Sequence, residues 1–366
     1  MASSGAMVLA MMGLLAALVC PAAAAAAGFI SMPTDNVGDH SYGVHATFCP
    51  NLEKIVLDKV AEARRWDIGV VAGLLRIFFH DCFPNYLLPT TPTIIIYKVS
   101  MCVYLVGCDA SLLLEPSHLY SSERARERPQ NQGLHQGALD LIQRIRDAVR
   151  DAKCTEVSCA DITMLATRQA IKLSGGPDYG VQLGRKDSID PARIDQVNQF
   201  LPAPDAKIWK LIEVFQSRGF DRTDLAALSG AHTIGKTSCP NLASRTGDAA
   251  WFVEAIKRNC PGSWDKKQVL DVDTPDDFDH KYYKNIVDGK GVLSTDMELL
   301  NDPFIKDLVH KWATDKNFFS WKFGEAMAKM ARLPVGGPSE YRENCFRRNS
   351  MRETVNLTAE GFAASA

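Results

Sequence analysis

No sign of charge dominates this chain. Across 366 residues, 41 Lys and Arg stand against 43 Asp and Glu, a formal net charge of −2. That balance offers neither the basic face that nucleic acid requires nor the polybasic patch that binds an anionic membrane. Internal repeats are absent and strand-like alternation is scarce, so a mainly α architecture is expected. Histidine is sparse, at eight residues, and none stands at the ligand spacing of a hydrolytic metal centre. EF-hand spacing is missing too. Beyond the N-terminus no apolar run reaches the roughly 20 residues of a membrane helix.

What is present is ample core-forming material. The chain is 46% hydrophobic and 23% charged, enough for one large domain or two packed lobes. Residues 1–27, MASSGAMVLAMMGLLAALVCPAAAAAA, read as a secretory signal peptide cut among Ala24 to Gly28. A membrane anchor would need about 20 apolar residues and a charged flank. The cut removes Cys20 and leaves nine of the ten cysteines in an oxidising space where pairing is the default. Nine is odd, and sequence alone leaves the connectivity open. Residues 28–44 read as a loose mature N-terminal segment. Residues 350–366 are a small, polar tail with the glycosylation acceptor Asn356-Leu-Thr358.

The most informative stretch is Gly73 to Phe83, GLLRIFFHDCF. Its apolar residues predict a buried helix over about 69–82, yet it carries Arg76 and His80 one turn apart on one face. Buried arginine must have its charge answered. Either the pair meets a carboxylate in the core, or it lines a dry pocket where His80 moves a proton and Arg76 stabilises an anion. In LAALSGAHTIG a second histidine, His232, shares a helical face with Leu225 and Leu228. Gly230 and Gly235 beside it read as room for a flat ligand to approach the backbone.

RIFFHDCF, then GCDASLLLE, and ALSGAHTIGK further on together resemble the secretory plant haem peroxidases, often called class III. The likeness covers residues 45–349. It implies a mainly α, two-lobed helical fold with haem b between distal and proximal lobes. It implies catalytic roles for His80, Arg76 and Asn131, a pocket-shaping role for Phe79, and His232 as iron ligand with Asp296 as its carboxylate partner. Such a carboxylate makes the imidazole a more electron-rich ligand. With no C-x-x-C-H motif, the haem is expected to be held non-covalently.

The resemblance further implies two calcium ions. The first would take Asp81, Gly107, Asp109 and Ser111, with a fifth carbonyl at Pro84 or Val106; the second would take Thr233, Asp271, Thr274, Asp277 (by its carbonyl) and Asp279. Oxygen-rich sets of this kind suit a hard cation. Pro202 matches the carbonyl of the donor channel. The implied disulfides are Cys49–Cys154, Cys82–Cys108, Cys159–Cys345 and Cys239–Cys260, leaving Cys102 over. Asp161 and Arg185 match a buried ion pair. The implied partners are hydrogen peroxide and small phenolic donors, for a monomer that is secreted to the cell exterior or wall; a vacuolar sorting extension is the second reading of the tail.

Two departures from the family pattern stand out. An apolar insertion, 85–106, separates HDCF from GCDAS, and the alternative function is a peroxidase-fold protein whose catalysis it impairs. Glu123 lies eight residues before Asn131, two more than the family spacing, so Glu123 and Glu127 read as solvated charges. The remaining histidines, His40, His45, His118, His135, His280 and His310, read as ordinary surface or core residues.

Overall fold

The computed structural model describes residues 49–84, 88–89, 103–104, 107–116, 122–124, 129–246, 249–260 and 266–350. The signal peptide, the 28–44 segment, His118, Glu127, Cys102, Asn356 and the tail beyond Ser350 lie outside the described residues. Among the described residues, twelve α-helices carry the fold. They are α1 (Leu52–Trp66), α2 (Gly69–Cys82), α3 (Gln136–Asp151), α4 (Cys159–Leu173), α5 (Ile194–Phe200), α6 (Ile208–Ser217), α7 (Arg222–Ser229), α8 (Ala250–Asn259), α9 (Lys281–Val287), α10 (Ser294–Glu298), α11 (Pro303–Trp312) and α12 (Lys316–Met330). Three two-residue or three-residue ladders, β1–β2, β3–β6 and β4–β5, complete it. They pair β1 (Leu88–Pro89) with β2 (Val103–Tyr104), β3 (Asp187–Ser188) with β6 (Ser339–Glu340), and β4 (Lys236–Ser238) with β5 (Lys267–Val269), all antiparallel. None of the helices among the described residues is long and apolar enough to cross a membrane.

The first lobe is built on α1 to α4. Leu52, Val56, Val60 and Ala63 recur at helical spacing on α1 and are buried. The α2 helix lies between its neighbours because Gly73 lets α3 approach: a Cβ there would sit 2.6 Å from His135 Cβ and 2.8 Å from Ala138 Cβ. Helix α4 docks on the other side, where the Thr167 hydroxyl, bonded to the Thr163 carbonyl at 2.8 Å, lies 3.3 Å from the Leu74 carbonyl. Caps set the helix starts. The Ser158 hydroxyl accepts Asp161 N–H at the head of α4, and Asp302 and Asp315 do the same for α11 and α12; each such cap contributes about 1 kcal/mol.

The second lobe packs α7 and α9 against α11 and α12 around an aromatic cluster. Tyr283 lies 4.9 Å from Phe319 and 5.3 Å from Trp312 between ring centroids, both edge-on, and Phe278 lies 4.7 Å from Phe323. Pairs of this kind contribute about 0.5–1.5 kcal/mol each beyond area burial. One continuous core runs through both lobes, with a small second cluster around Leu242, Phe252 and Ile256.

Four disulfides staple this framework, Cys49–Cys154, Cys82–Cys108, Cys159–Cys345 and Cys239–Cys260. The Cys159–Cys345 bridge, with a sequence separation of 186, removes about 5 kcal/mol of loop entropy from the unfolded chain. The Cys82–Cys108 bridge closes across the insertion. There Cys108 N–H donates to the Asp81 carbonyl and Gly107 N–H to that of Pro334.

Several local expectations change. The helix bearing His232 does not run on to Gly235; α7 stops at Ser229 and tightens into a 3₁₀ turn, Gly230–Thr233. The last helix runs from Lys316 to Met330, with Asp315 capping its start. Asp161 and Arg185 are joined through the main chain, with the Asp161 carboxylate accepting Gly184 and Arg185 N–H. The Arg185 guanidinium instead donates to the carbonyls of Gly107, Leu333 and Ala331.

Candidate active site

Helix α2 is buried on every side but one. Gly69, Ala72, Arg76, Phe79 and His80 are its half-buried residues, and at i, i+3, i+7, i+10 and i+11 they form a single, partly exposed stripe. Phe79 stacks on Phe83, with ring centroids 4.2 Å apart, and this pair sits on Phe215 and Phe220. The stripe is therefore held on a rigid aromatic floor.

One short turn, Pro129–Asn131 and the two residues after it, grips both polar members of the stripe. Asn131 Oδ1 lies 2.8 Å from His80 Nδ1, and its amide Nδ2 donates to the Glu123 carbonyl at 2.9 Å. The Asn131 oxygen is thus an acceptor, so His80 carries its proton on Nδ1 and leaves Nε2 basic. The Arg76 guanidinium donates to the carbonyls of Gln130, Gln132 and Gly133 at 2.9, 3.0 and 3.1 Å. Main-chain oxygens, not a carboxylate, answer its charge. Burial first, then the charge of Arg76, holds the His80 pKa down to about 3, against the upward pull of Asn131. Its imidazole is neutral at physiological pH.

Glu123 is not the solvated charge its spacing suggests. It is fully buried, and its Oε1 accepts Ala192 N–H at 2.7 Å. The extra residues before Asn131 leave the Glu123 carbonyl in place to receive Asn131.

In the second lobe, His232 Nδ1 lies 2.8 Å from Asp296 Oδ1. Asp296 is 1% exposed, whereas the His232 side chain is 36% exposed. The committed edge of the ring therefore points into protein and the Nε2 edge into open space. Asp296 is also reached by Tyr282, whose hydroxyl donates to the same Oδ1 at 3.0 Å, and by Leu293 N–H on Oδ2 at 2.7 Å. Burial first, then the Asp296 charge, pushes the Tyr282 phenol well above its usual range, so it remains a donor. No sequence signal had singled out Tyr282, whose KYY reads as the end of an acidic loop.

Gly235 fixes how the two sides meet. Its φ is +105° and a Cβ would lie 2.5 Å from Ala72 Cβ, within the α2 stripe. Gly230 faces away, toward the Tyr283 hydroxyl and Phe319. Both glycines thus make room for close packing within the protein. Two imidazoles remain, each with one nitrogen tied to a protein oxygen and the other unclaimed among the described contacts. That arrangement fits a haem, which needs one nitrogen ligand on a face and a free base on the other.

The calcium candidates divide. On the proximal side one hydroxyl, Thr233 Oγ1, lies 3.2 Å from Asp271 Oδ2, 3.4 Å from the Asp277 carbonyl and 3.5 Å from Asp279 Oδ1. Thr274 Oγ1 lies 3.0 Å from Asp279 Oδ2. Backbone N–H groups of Asp273, Thr274 and Lys281 and the Asn285 amide complete the contacts to these carboxylates, and the result is a cluster of oxygens of the kind a hard cation takes. On the distal side Asp81 accepts Ala110 and Leu112 N–H, and Asp109 accepts Ser111 N–H. Burial first and then Asp109 push Asp81 well above the carboxylate range. Gly107 turns its carbonyl to Arg185, Pro84 is buried, and Val106 lies outside the described residues. Among the described residues no three acidic, imidazole or thiolate groups form a metal cage. Pro202 is half-buried in the loop between α5 and α6.

Residues 56–315 match the peroxidase family model. The chain belongs to the peroxidase family. It is 36% identical over 332 residues to Peroxidase 12 of Arabidopsis thaliana, covering 88% of this chain and 86% of that one. To Cationic peroxidase SPC4 of Sorghum bicolor it is 35% identical over 325 residues, 86% and 83% of the two chains. To Peroxidase C1B of Armoracia rusticana it is 34% identical over 323 residues, 83% and 85%. This peroxidase is accordingly a haem enzyme that reduces hydrogen peroxide with electrons from donor substrates.

The Gly235 contact yields a prediction. Gly235→Ala should destabilise the fold by about 1–3 kcal/mol, from overpacking and a left-handed backbone that alanine resists. Adding Ala72→Gly should recover part of the loss in chemical denaturation. Equal stability of Gly235→Ala and the unmutated protein would contradict the contact.

Proposed function

We propose that this peroxidase holds haem b non-covalently between the Arg76/His80 stripe and His232, and oxidises small phenolic donors in one-electron steps. The observation that carries the reading is the matched pair of imidazoles, each tied through Nδ1 to a protein oxygen. Haem bound there supplies the redox iron. His232 would be its ligand through Nε2, with Asp296 drawing on the opposite N–H.

The protein's own residues do the rest. His80 accepts a proton from hydrogen peroxide on Nε2 and returns it to the departing oxygen, which leaves as water. Asn131 holds the tautomer that makes this direction of transfer available. Arg76 places a fixed positive charge where negative charge grows on that oxygen, and its carbonyl clamp spares it reorganisation. Phe79 narrows the cleft above, so bulky donors stay at the edge. The Pro202 carbonyl accepts the hydroxyl of a phenol there. The closed Cys82–Cys108 bridge, with Gly107 and Cys108 hydrogen-bonded beyond it, supports the active reading over one in which the insertion impairs catalysis.

His80→Leu should lower kcat/KM for hydrogen peroxide about 10²–10⁴-fold, and Arg76→Leu about 10²–10³-fold, with haem retained in both. His232→Gly should lose the haem Soret band on gel filtration. Near-normal peroxide kinetics in His80→Leu would overturn the assignment.

Two calcium ions complete the proposal, held by Asp81, Gly107, Asp109 and Ser111 on one side and by Thr233, Asp271, Thr274, Asp277 and Asp279 on the other. Elemental analysis should find about two calcium ions per chain, and chelation should lower the thermal midpoint, since a ligand of the folded state stabilises it by mass action. A calcium-free protein with an unchanged midpoint after chelation would exclude both sites. The protein is further proposed to act as a secreted monomer. N-terminal sequencing of the mature chain should begin among residues 25–29; a chain still beginning at Met1 would refute secretion by cleavage.

A further inference from the structure

The buried phenol of Tyr282 has no part in the proton transfers above, yet it touches the residue behind the iron ligand. We infer that Tyr282 is a positioning residue that tunes His232: by donating into the same Asp296 oxygen that receives the imidazole N–H, it limits how strongly that carboxylate draws on His232. The inference rests on the reading that His232 holds the haem iron.

The geometry makes the sharing direct. Asp296 Oδ1 lies 2.8 Å from His232 Nδ1 and 3.0 Å from Tyr282 Oη, while Oδ2 is occupied by Leu293 N–H. Tyr282 and Asp296 are each 1% exposed, so water does not compete for the shared oxygen. The Tyr282 ring stands edge-on to the imidazole, 87° between planes and 6.0 Å between centroids, which also fixes the ring plane of His232.

Helix α9 has few ways to move this hydroxyl. Tyr283, next in sequence, donates to the Ala226 carbonyl of α7 at 2.8 Å, and Asn285 donates to Asp271 at 2.9 Å. The helix that carries Tyr282 is thereby anchored at two further points. A carboxylate oxygen with one donor concentrates its charge on that donor; a second donor of similar length divides it. The imidazole then keeps more of its N–H proton and gives less electron density to a metal on Nε2. Ligand strength of this kind is a lever on haem-iron potential.

Tyr282→Phe keeps the ring and removes only the hydroxyl. In the haem-loaded ferrous protein, the iron–imidazole stretching band should rise in frequency and the Fe(III)/Fe(II) potential should fall. Replacing Tyr282 with 3-fluorotyrosine, a stronger donor of the same shape, should move both in the opposite direction. Tyr283→Phe, which loses an equally buried phenol bonded to a carbonyl, should move neither. Unchanged band and potential in Tyr282→Phe, whatever its stability, would overturn the inference while leaving the ligand assignment intact. An iron–imidazole band that persists in His232→Gly would overturn that assignment and this inference with it.

Discussion

The structure depends on a carboxylate buried where water cannot reach it. An isolated charge in such a place is strongly unfavourable, and it persists only when hydrogen-bond donors converge on it. Asp296 receives three: an imidazole, a phenol and a backbone N–H. Each comes from a different element. The turn after α7 brings His232, α9 brings Tyr282, and the first turn of α10 brings Leu293 N–H beside a partial positive helix end. Satisfying one acid thus ties together three segments of the second lobe, and it leaves one histidine oriented with its free nitrogen toward open space.

The first lobe solves the opposite problem, buried positive charge, and does so with main-chain carbonyls. Arg76 takes three of them from one turn. Arg185 takes those of Gly107, Ala331 and Leu333, and Arg245 those of Gly289 and Gly291 among others. The guanidinium suits this use because it is weakly hydrated and carries five donors in a fixed plane. Carbonyl partners neutralise no charge. The positive potential of Arg76 therefore remains available along the α2 stripe, which a carboxylate partner would have cancelled.

Much of this was legible in the chain. The apolar run with Arg76 and His80 at i, i+4 located α2 and its open face, and the second histidine motif located the opposing side. The cysteine pairs implied by resemblance are those the structure contains. What was not legible depends on contacts between distant segments. Tyr282 and Asp296 are brought together by α9 and α10, helices too short to show periodicity. The Arg76 partners are backbone oxygens, which every sequence has everywhere. Glu123 looked solvated because its spacing was off, and only the fold shows its carbonyl meeting Asn131. Gly230 and Gly235 were rightly singled out for close approach, but what approaches is Phe319 with Tyr283 in one case and Ala72 in the other.

The sealed base of the 85–106 segment has a broader consequence. Cys82 and Cys108 are covalently joined, and the N–H groups of Gly107 and Cys108 donate to the carbonyls of Pro334 and Asp81, so the stem of the excursion is defined by the fold itself. Loop-closure entropy grows only logarithmically with length. A segment that leaves from such a stem can change in length at little cost to the fold, which gives an engineer a ready port for a grafted peptide.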